Sequence, residues 1–256
     1  MEIKKNQLNF KGIWTHGKNG GGYEVIEWNE TNCDLQCNSY IRKAVENKNW
    51  AFVSDYFRLR ALYEFGGIYL DTDVEIYKSF DDLLSKKGFV GYMHDALIGT
   101  AVLGFEKKNL FIKKLLDLYD NAEWIEGKYD LFRIKFENGD SYLCNANNSV
   151  FTWAVFHFYD NFKLNGKYQE TEDFSVFPKT EFEIGTFWGK RSHCVHRCES
   201  SWKTKNNKKE LYKIVKNAVK YIPIIHMDAI IRNISAKNHM QKSVFYERYL
   251  HDTASA

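Results

Sequence analysis

Two acids two residues apart, Asp71 and Asp73, stand at the end of the apolar run Ile68-Tyr69-Leu70. If that run is a buried strand, alternation turns both carboxylates the same way, at the carboxyl edge of a sheet where open α/β folds bind ligands. Carboxylates held so close repel each other unless a cation lies between them. A hard divalent ion that also takes phosphate oxygens, Mn2+ or Mg2+, suits such a pair. The alternative is that the two acids cap the next turn and are solvated. Upstream, Asp55 and Arg58 are one helical turn apart on one face, a spacing that by itself makes an ion pair of about a few tenths of a kcal/mol.

The elements that must position these groups are legible around them. Trp50, Val53, Phe57, Ala61 and Phe65 recur at spacings of three and four, which predicts an amphipathic helix with one apolar stripe. Gly66 and Gly67 follow the last periodic residue, where left-handed backbone geometry ends the helix and turns the chain into the strand. Before this unit, Leu8 to Trp14 and Tyr23 to Trp28 read as a strand pair, and a short helix begins at Asp34 or Asn38 and runs to about Asn47. After it come a one-turn helix at Ser79 to Leu84 capped by its serine, strands at Gly88 to Tyr92 and Leu97 to Phe105 around the polar tip Met93-His94-Asp95, and helices from about Asn109 and Asn148. A further strand-like alternation falls at Phe174 to Phe177. Strands interleaved with helices predict an α/β sheet fold.

Composition narrows the classes. The 256 residues are 44% hydrophobic and hold only two prolines, enough for a sizeable core and with no linker between separate domains. A net charge of +3 does not indicate a nucleic-acid partner. The start, Met1-Glu2-Ile3-Lys4-Lys5, lacks an apolar signal region and no run suffices to span a bilayer, so the cytoplasm is the expected compartment. Five cysteines, at 33, 37, 144, 194 and 198, read as free thiols; a zinc site built from Cys33/Cys37 and Cys194/Cys198, with His193 and His196 nearby, is the alternative use. From Lys203 to Lys242 basic residues face only Glu210 and Asp228, and Leu211 to Ile222 carries an apolar stripe. A basic amphipathic helix there either packs on the core or meets an anionic membrane surface.

The segment S-D-x-x-R-x-x-x-L-x-x-x-G-G-I-Y-L-D-T-D at 54–73 resembles the signature of the DxD-sugar-binding glycosyltransferases of family 32, which include capsular polysaccharide enzymes; the catalytic domain of the large clostridial glucosylating toxins shares the layout. Val195 to Trp202 looks like the late H-x-x-x-x-S-W loop of the same family, and the likeness covers most of residues 23 to 205. The resemblance implies a GT-A fold, a Rossmann-like mixed sheet flanked by helices. It places a catalytic domain at 1–202 and leaves 203–256 as a basic helical extension packed on the same unit. The implied activity is retaining transfer of a hexose from a UDP- or GDP-sugar to a glycan or lipid-linked glycan acceptor, with Mn2+ or Mg2+ as cofactor, in capsule or other surface polysaccharide synthesis.

Roles follow from the same resemblance. Asp73 is the main metal ligand, Asp71 contacts the donor and the metal shell, and His196 adds a ligand. Asp55 and Arg58 hold the donor hexose, Tyr69 packs beside it, and Asn29 or Trp28 lies near the base. Ser201 and Trp202 close over the diphosphate, while His94 and Asp95 are candidates for acceptor contact. The chain departs from the family at its start: only about twenty residues precede Tyr23, and the run Gly17 to Gly22 cannot hold the usual first helix, which predicts a shortened first βα unit. A catalytically degenerate nucleotide-sugar-binding partner is therefore the alternative function. A less favoured one reads Leu70 to Val74 as a haloacid-dehalogenase-type phosphatase motif with Asp71 as nucleophile.

Overall fold

A computed structural model of the chain describes residues 9–15, 23–184, 192–198 and 227–255. A seven-stranded sheet runs through it. In chain order its members are β1 (Asn9–Thr15), β2 (Tyr23–Asn29), β3 (Gly67–Leu70), β5 (Gly88–His94), β6 (Leu97–Phe105), β10 (Gln169–Glu170) and β11 (Ser175–Phe177), in the spatial order β10-β11-β5-β6-β3-β1-β2. The β11/β5 pair is parallel and the other neighbours are antiparallel. The sheet is thus mixed, compatible with a GT-A-like fold, without a Rossmann-type run of parallel strands among the described residues. The first two strands pair antiparallel, Asn9 opposite Asn29 through Thr15 opposite Tyr23, as the strand-pair reading expected.

Two short sheets complete the strands. β4 (Val74–Ile76) pairs with β12 (Cys194–His196), and β7 (Glu123–Trp124), β8 (Phe132–Lys135) and β9 (Ser141–Cys144) form a meander that sequence periodicity did not reveal. The helices are α1 (Ser39–Glu46), α2 (Trp50–Phe65), α3 (Leu110–Asp120), α4 (Asn147–Phe158), α5 (Lys179–Phe182), α6 (Met227–Met240) and α7 (Tyr246–Ala254). Asn38 and Asn109 cap α1 and α3 through their side-chain oxygens. Each satisfies a backbone N–H that the first helical turn leaves without an internal partner. Ser79 Oγ accepts from Asp81 N at 3.1 Å ahead of a single turn at Asp81–Leu83, whose cap position is Phe80 rather than the serine expected there.

The organising helix is more deeply set than its sequence stripe implied. Phe52, Tyr56, Leu59 and Leu62 are buried as well as Val53, Phe57 and Ala61, because α2 packs against α1 and α3 as well as strands of the sheet. Phe65, at the end of the expected stripe, is 50% exposed and covers Trp28. Gly66 closes the helix by donating to Leu62 O at 2.8 Å. Its φ of 78° with ψ of −163° is a region open to glycine alone, rather than the left-handed helical geometry expected. A Cβ there would stand 2.6 Å from the backbone nitrogen of Lys107. Gly66→Ala therefore combines backbone strain with overlap, and urea denaturation is expected to show a loss of at least about 2 kcal/mol.

Strand β3 divides two apolar clusters. Tyr69 points to the main core with α2, while Ile68 and Leu70 join Phe80, Leu83, Phe89, Val102, Phe182 and Cys194 on the other side. This alternation brings α5 and β12 under the end of β3, far from it in sequence. At the carboxy terminus, Phe245 is buried in the main cluster against Trp153, and the buried Asp252 accepts from Leu164 N at 2.9 Å. The expected basic helix at Leu211 to Ile222 lies outside the described residues. No helix among the described residues is long and apolar enough to cross a membrane.

Candidate active site

The two acids do converge, though by a turn and not by strand alternation. Val74 N donates to Asp71 O at 3.1 Å, so 71–74 is a tight turn whose two carboxylates face one imidazole. Asp71 N is held by Ala101 O at 2.8 Å, which ties the turn to β6. Strand β12 then lies antiparallel to β4 with His196 opposite Val74, and Arg197 N donates to Asp73 O at 2.9 Å. His196 Nε2 comes to 3.2 Å from Asp73 Oδ1 and 3.9 Å from Asp71 Oδ2. One ligand atom from each of these three residues falls within a 4.8 Å span, a set able to hold a metal ion. Two carboxylates and one imidazole fit a hard divalent cation that keeps open positions for phosphate oxygens.

His196 is fixed from behind. Its Nδ1 meets Glu183 Oε1 at 2.9 Å, and its backbone N–H donates to Glu183 O at 3.1 Å. Burial disfavours a charged ring, but hydrogen bonding to Asp73, Cys198 and Glu183 outweighs it and holds the imidazole well above its ordinary pKa. Three residues earlier, His193 is buried between Asp82, at 2.7 Å from Nε2, and Glu181, and its ring stacks on Phe80. Its carbonyl accepts from Tyr77 N at 2.8 Å. The late strand is therefore pinned at both of its histidines. The side chain of Arg197 adds a third fastening, to Glu75 and Tyr77.

Arg58 connects the acids to α2. It is 6% exposed, and its guanidinium donates to Asp55 Oδ1 at 2.9 Å, Asp71 Oδ1 at 3.1 Å and Thr100 O at 2.9 Å. The ring of Tyr69 lies beneath it, 4.3 Å from ring centre to guanidinium carbon, and Tyr69 Oη donates to Asp71 Oδ1 at 2.5 Å. The Asp55/Arg58 spacing is thus more than a surface i, i+3 pair, since the arginine also reads the end of β3. Asp71 thus has Oδ1 engaged by Arg58 and Tyr69 and Oδ2 turned toward His196. Tyr69, expected beside the donor sugar, is 3% exposed and lies against Arg58 and Asp71.

Asp55 has a second task. The amino-terminal cap position of α4, Ala146, has no side chain to offer the first helical N–H groups, and the Asp55 carboxylate accepts from Asn147 N. Burial, only partly offset by Arg58 and reinforced by Asp71, pushes its pKa up to about 6. The sign of the consequence is specific. Between about pH 4, where an unfolded aspartate titrates, and about pH 6 the folded state binds a proton that the unfolded state does not. The stability this group gives is full below pH 4 and is lost as pH rises through 6. Chemical denaturation is expected to show the wild type losing ground to Asp55→Asn over that range, while any function that needs the carboxylate declines as pH falls below about 6.

Asn29 lies on the same sheet edge as Asp71: Lys11 of β1 pairs with both Leu70 and Glu27, and Asn29 follows two residues along β2. Its side chain is committed locally, accepting from Thr31 N at 2.9 Å and Thr31 Oγ1 at 2.6 Å. Trp28 is buried in the core. At the tip of β5, His94 is buried, which lowers its pKa to about 4, and Asp95 is ion-paired with Lys179. Ser201 and Trp202 lie outside the described residues. All five cysteines are free, and Cys33/Cys37 form no metal-capable group with Cys194/Cys198 among the described residues.

Residues 8–90, which include β1 to β4 and α2, match the protein family described as "Glycosyltransferase sugar-binding region containing DXD motif". The match supports a DXD-motif glycosyltransferase. Asp71-Thr72-Asp73 is the DXD element in that stretch. An uncharacterized protein of Arabidopsis thaliana is 38% identical over 66 residues, which is 26% of this chain and 10% of the plant protein. The chain thus spans about a tenth of that relative's length. No solved structure matches.

Sequence reasoning missed Glu183, Asn147 and Thr100. A signal for the first existed: Glu181 and Glu183, two apart, face His193 and His196, three apart, each acid meeting one imidazole. Asn147 and Thr100 act through main-chain atoms, which no residue type announces.

Proposed function

We propose that this chain transfers a hexose from a nucleotide-sugar donor to a glycan acceptor with retention of anomeric configuration, and that it needs Mn2+ or Mg2+. The observation that carries the reading is the convergence of Asp71, Asp73 and His196 beside a buried Arg58/Asp55 pair. A divalent ion held by those three residues would neutralise the charge that develops on a departing nucleoside diphosphate.

The protein groups divide the remaining work. Arg58 fixes Asp71 and presents Asp55, whose carboxylate accepts from a sugar hydroxyl. Glu183 orients the His196 ring so that Nε2 faces the acids, as a carboxylate behind a metal-bound histidine commonly does. Ser201 and Trp202 donate to the diphosphate from the segment after β12. Attack by an acceptor hydroxyl on the face the diphosphate leaves needs no protein nucleophile, which agrees with an Asp71 already engaged by Arg58 and Tyr69. Membership of family 32, kinship with the glucosylating toxins, and a surface-glycan or lipid-linked acceptor reached through the basic segment near 211–222 belong to this reading.

The test is a panel of UDP- and GDP-hexoses with and without Mn2+, following nucleoside diphosphate release and thermal stabilisation. Metal-dependent release supports the proposal. Metal-dependent stabilisation without release indicates a non-catalytic nucleotide-sugar binder, and neither response on any donor removes the reading.

A further inference from the structure

His196 faces a second set of ligands with its other nitrogen. Behind the ring, Cys198 Sγ lies 3.5 Å from His196 Nδ1 and 3.4 Å from Glu183 Oε1, and Nδ1 and Oε1 are 2.9 Å apart. These atoms form the second metal-capable group among the described residues. A tetrahedral zinc ion with Zn–S of about 2.3 Å and Zn–N and Zn–O of about 2.0 Å sets its ligands about 3.5 Å apart along edges to sulfur and about 3.3 Å apart along the N–O edge. The two sulfur edges already match, and the third needs about 0.4 Å of opening. Cys198 has φ of 51°, an uncommon left-handed conformation for a residue with a side chain, and that backbone turn directs the thiol back over the imidazole. Glu183 is buried and Cys198 is exposed, so two ligands are fixed by the fold while the third stands at the entrance.

We infer that Glu183, His196 Nδ1 and Cys198 form a regulatory site for a thiophilic divalent cation such as Zn2+, with water as the fourth ligand, and that filling it disables the Asp71/Asp73/His196 set. Thiolate selects zinc over Mg2+ and Mn2+, whereas the paired acids on the other side of the ring favour hard ions. Binding releases two protons to solvent, one from the Cys198 thiol and one from His196 Nδ1, which leaves the ring neutral. Exclusion follows from the chemistry of one neutral imidazole, which has one lone pair for a metal and one N–H. Ligation through Nε2 leaves Nδ1–H donating to Glu183. Ligation through Nδ1 leaves the proton on Nε2, aimed at Asp73 Oδ1 3.2 Å away, where no metal can then share that nitrogen. The exclusion half of the inference rests on the hard-metal reading proposed above; the existence of the thiolate site does not.

Cobalt distinguishes the two. Titration of the purified protein with Co2+ is expected to produce thiolate-to-cobalt charge-transfer absorption, bleached by added Zn2+. The band disappears in Cys198→Ala, persists in Cys37→Ser, the other cysteine that is not fully buried, and persists in Asp73→Asn. No band in the wild type, or a full band in Cys198→Ala, overturns the site. In the Mn2+-dependent turnover assay, Cys198→Ala is expected to be at least about tenfold less sensitive to Zn2+ than the wild type. Equal sensitivity overturns the exclusion. Absence of turnover with every donor, together with a Cys198-dependent cobalt band, refutes the transferase reading and leaves the thiolate site standing.

Discussion

Asp73→Asn is expected to reduce metal-dependent release of nucleoside diphosphate by about 10²–10³-fold while leaving the circular dichroism spectrum unchanged. The amide keeps the shape of the side chain but offers the cation a neutral oxygen. Asp71 cannot compensate, because its Oδ1 already accepts from Arg58 and Tyr69 and only Oδ2 faces His196. The variant is also expected to need a higher Mn2+ concentration for half-maximal rate. Turnover within about threefold of the wild type at every Mn2+ concentration would remove Asp73 from the metal site, since loss of a stabilising donor costs far more than that.

Arg58→Ala carries the largest expected effect on the fold. The guanidinium sits among Asp55, Asp71 and Thr100 O, and its removal leaves Asp55 buried without its cation. Breaking one side of a buried ion pair costs about 3–5 kcal/mol, because the remaining charge has lost its compensation. Urea denaturation at pH 7.5 is the measurement. The loss is expected to shrink when the same comparison is made at pH 5, where Asp55, with its pKa near 6, takes up a proton and needs the arginine less. A loss independent of pH would assign the effect to packing over Tyr69 instead. Arg58→Lys cannot reach three acceptors from one point charge and is expected to recover only part of the stability.

The parts of this architecture that were legible are those in which neighbours in sequence stay neighbours in space. The α2 helix, the Gly66-Gly67 turn, strand β3 and the two acids announce themselves through periodicity, glycine and charge within 24 residues, Trp50 to Asp73. The capping asparagines at 38 and 109 are local signals of the same kind. The β7–β9 meander was not, because its strands are two to four residues long and alternate too briefly to register. The mixed sheet was expected, but which neighbours run antiparallel was not legible, for a different reason. An alternation of strands and helices does not announce that β3, β5 and β6 are joined without a crossover helix, nor that β3 and β5 both pair antiparallel with β6. Within the site, the resemblance of the late loop identified His196, while Glu183 sits beside a four-residue helix that carries no periodic pattern of its own. Arg58 was placed with Asp55, yet its grip on Asp71 is a tertiary contact that spacing alone does not encode.

The pairing of β4 with β12 has a consequence for how the protein comes into being. His196 and Val74 are opposite one another across about 120 residues of chain. A growing chain that has left the ribosome only as far as β6 already contains α2, the double glycine and both acids, yet holds neither the imidazole nor Glu183. Such a chain has only two of the three groups of the proposed metal site and is expected to bind divalent ions weakly. A metal site of the proposed kind would be complete only once residues 192–198 dock on β4, late in synthesis.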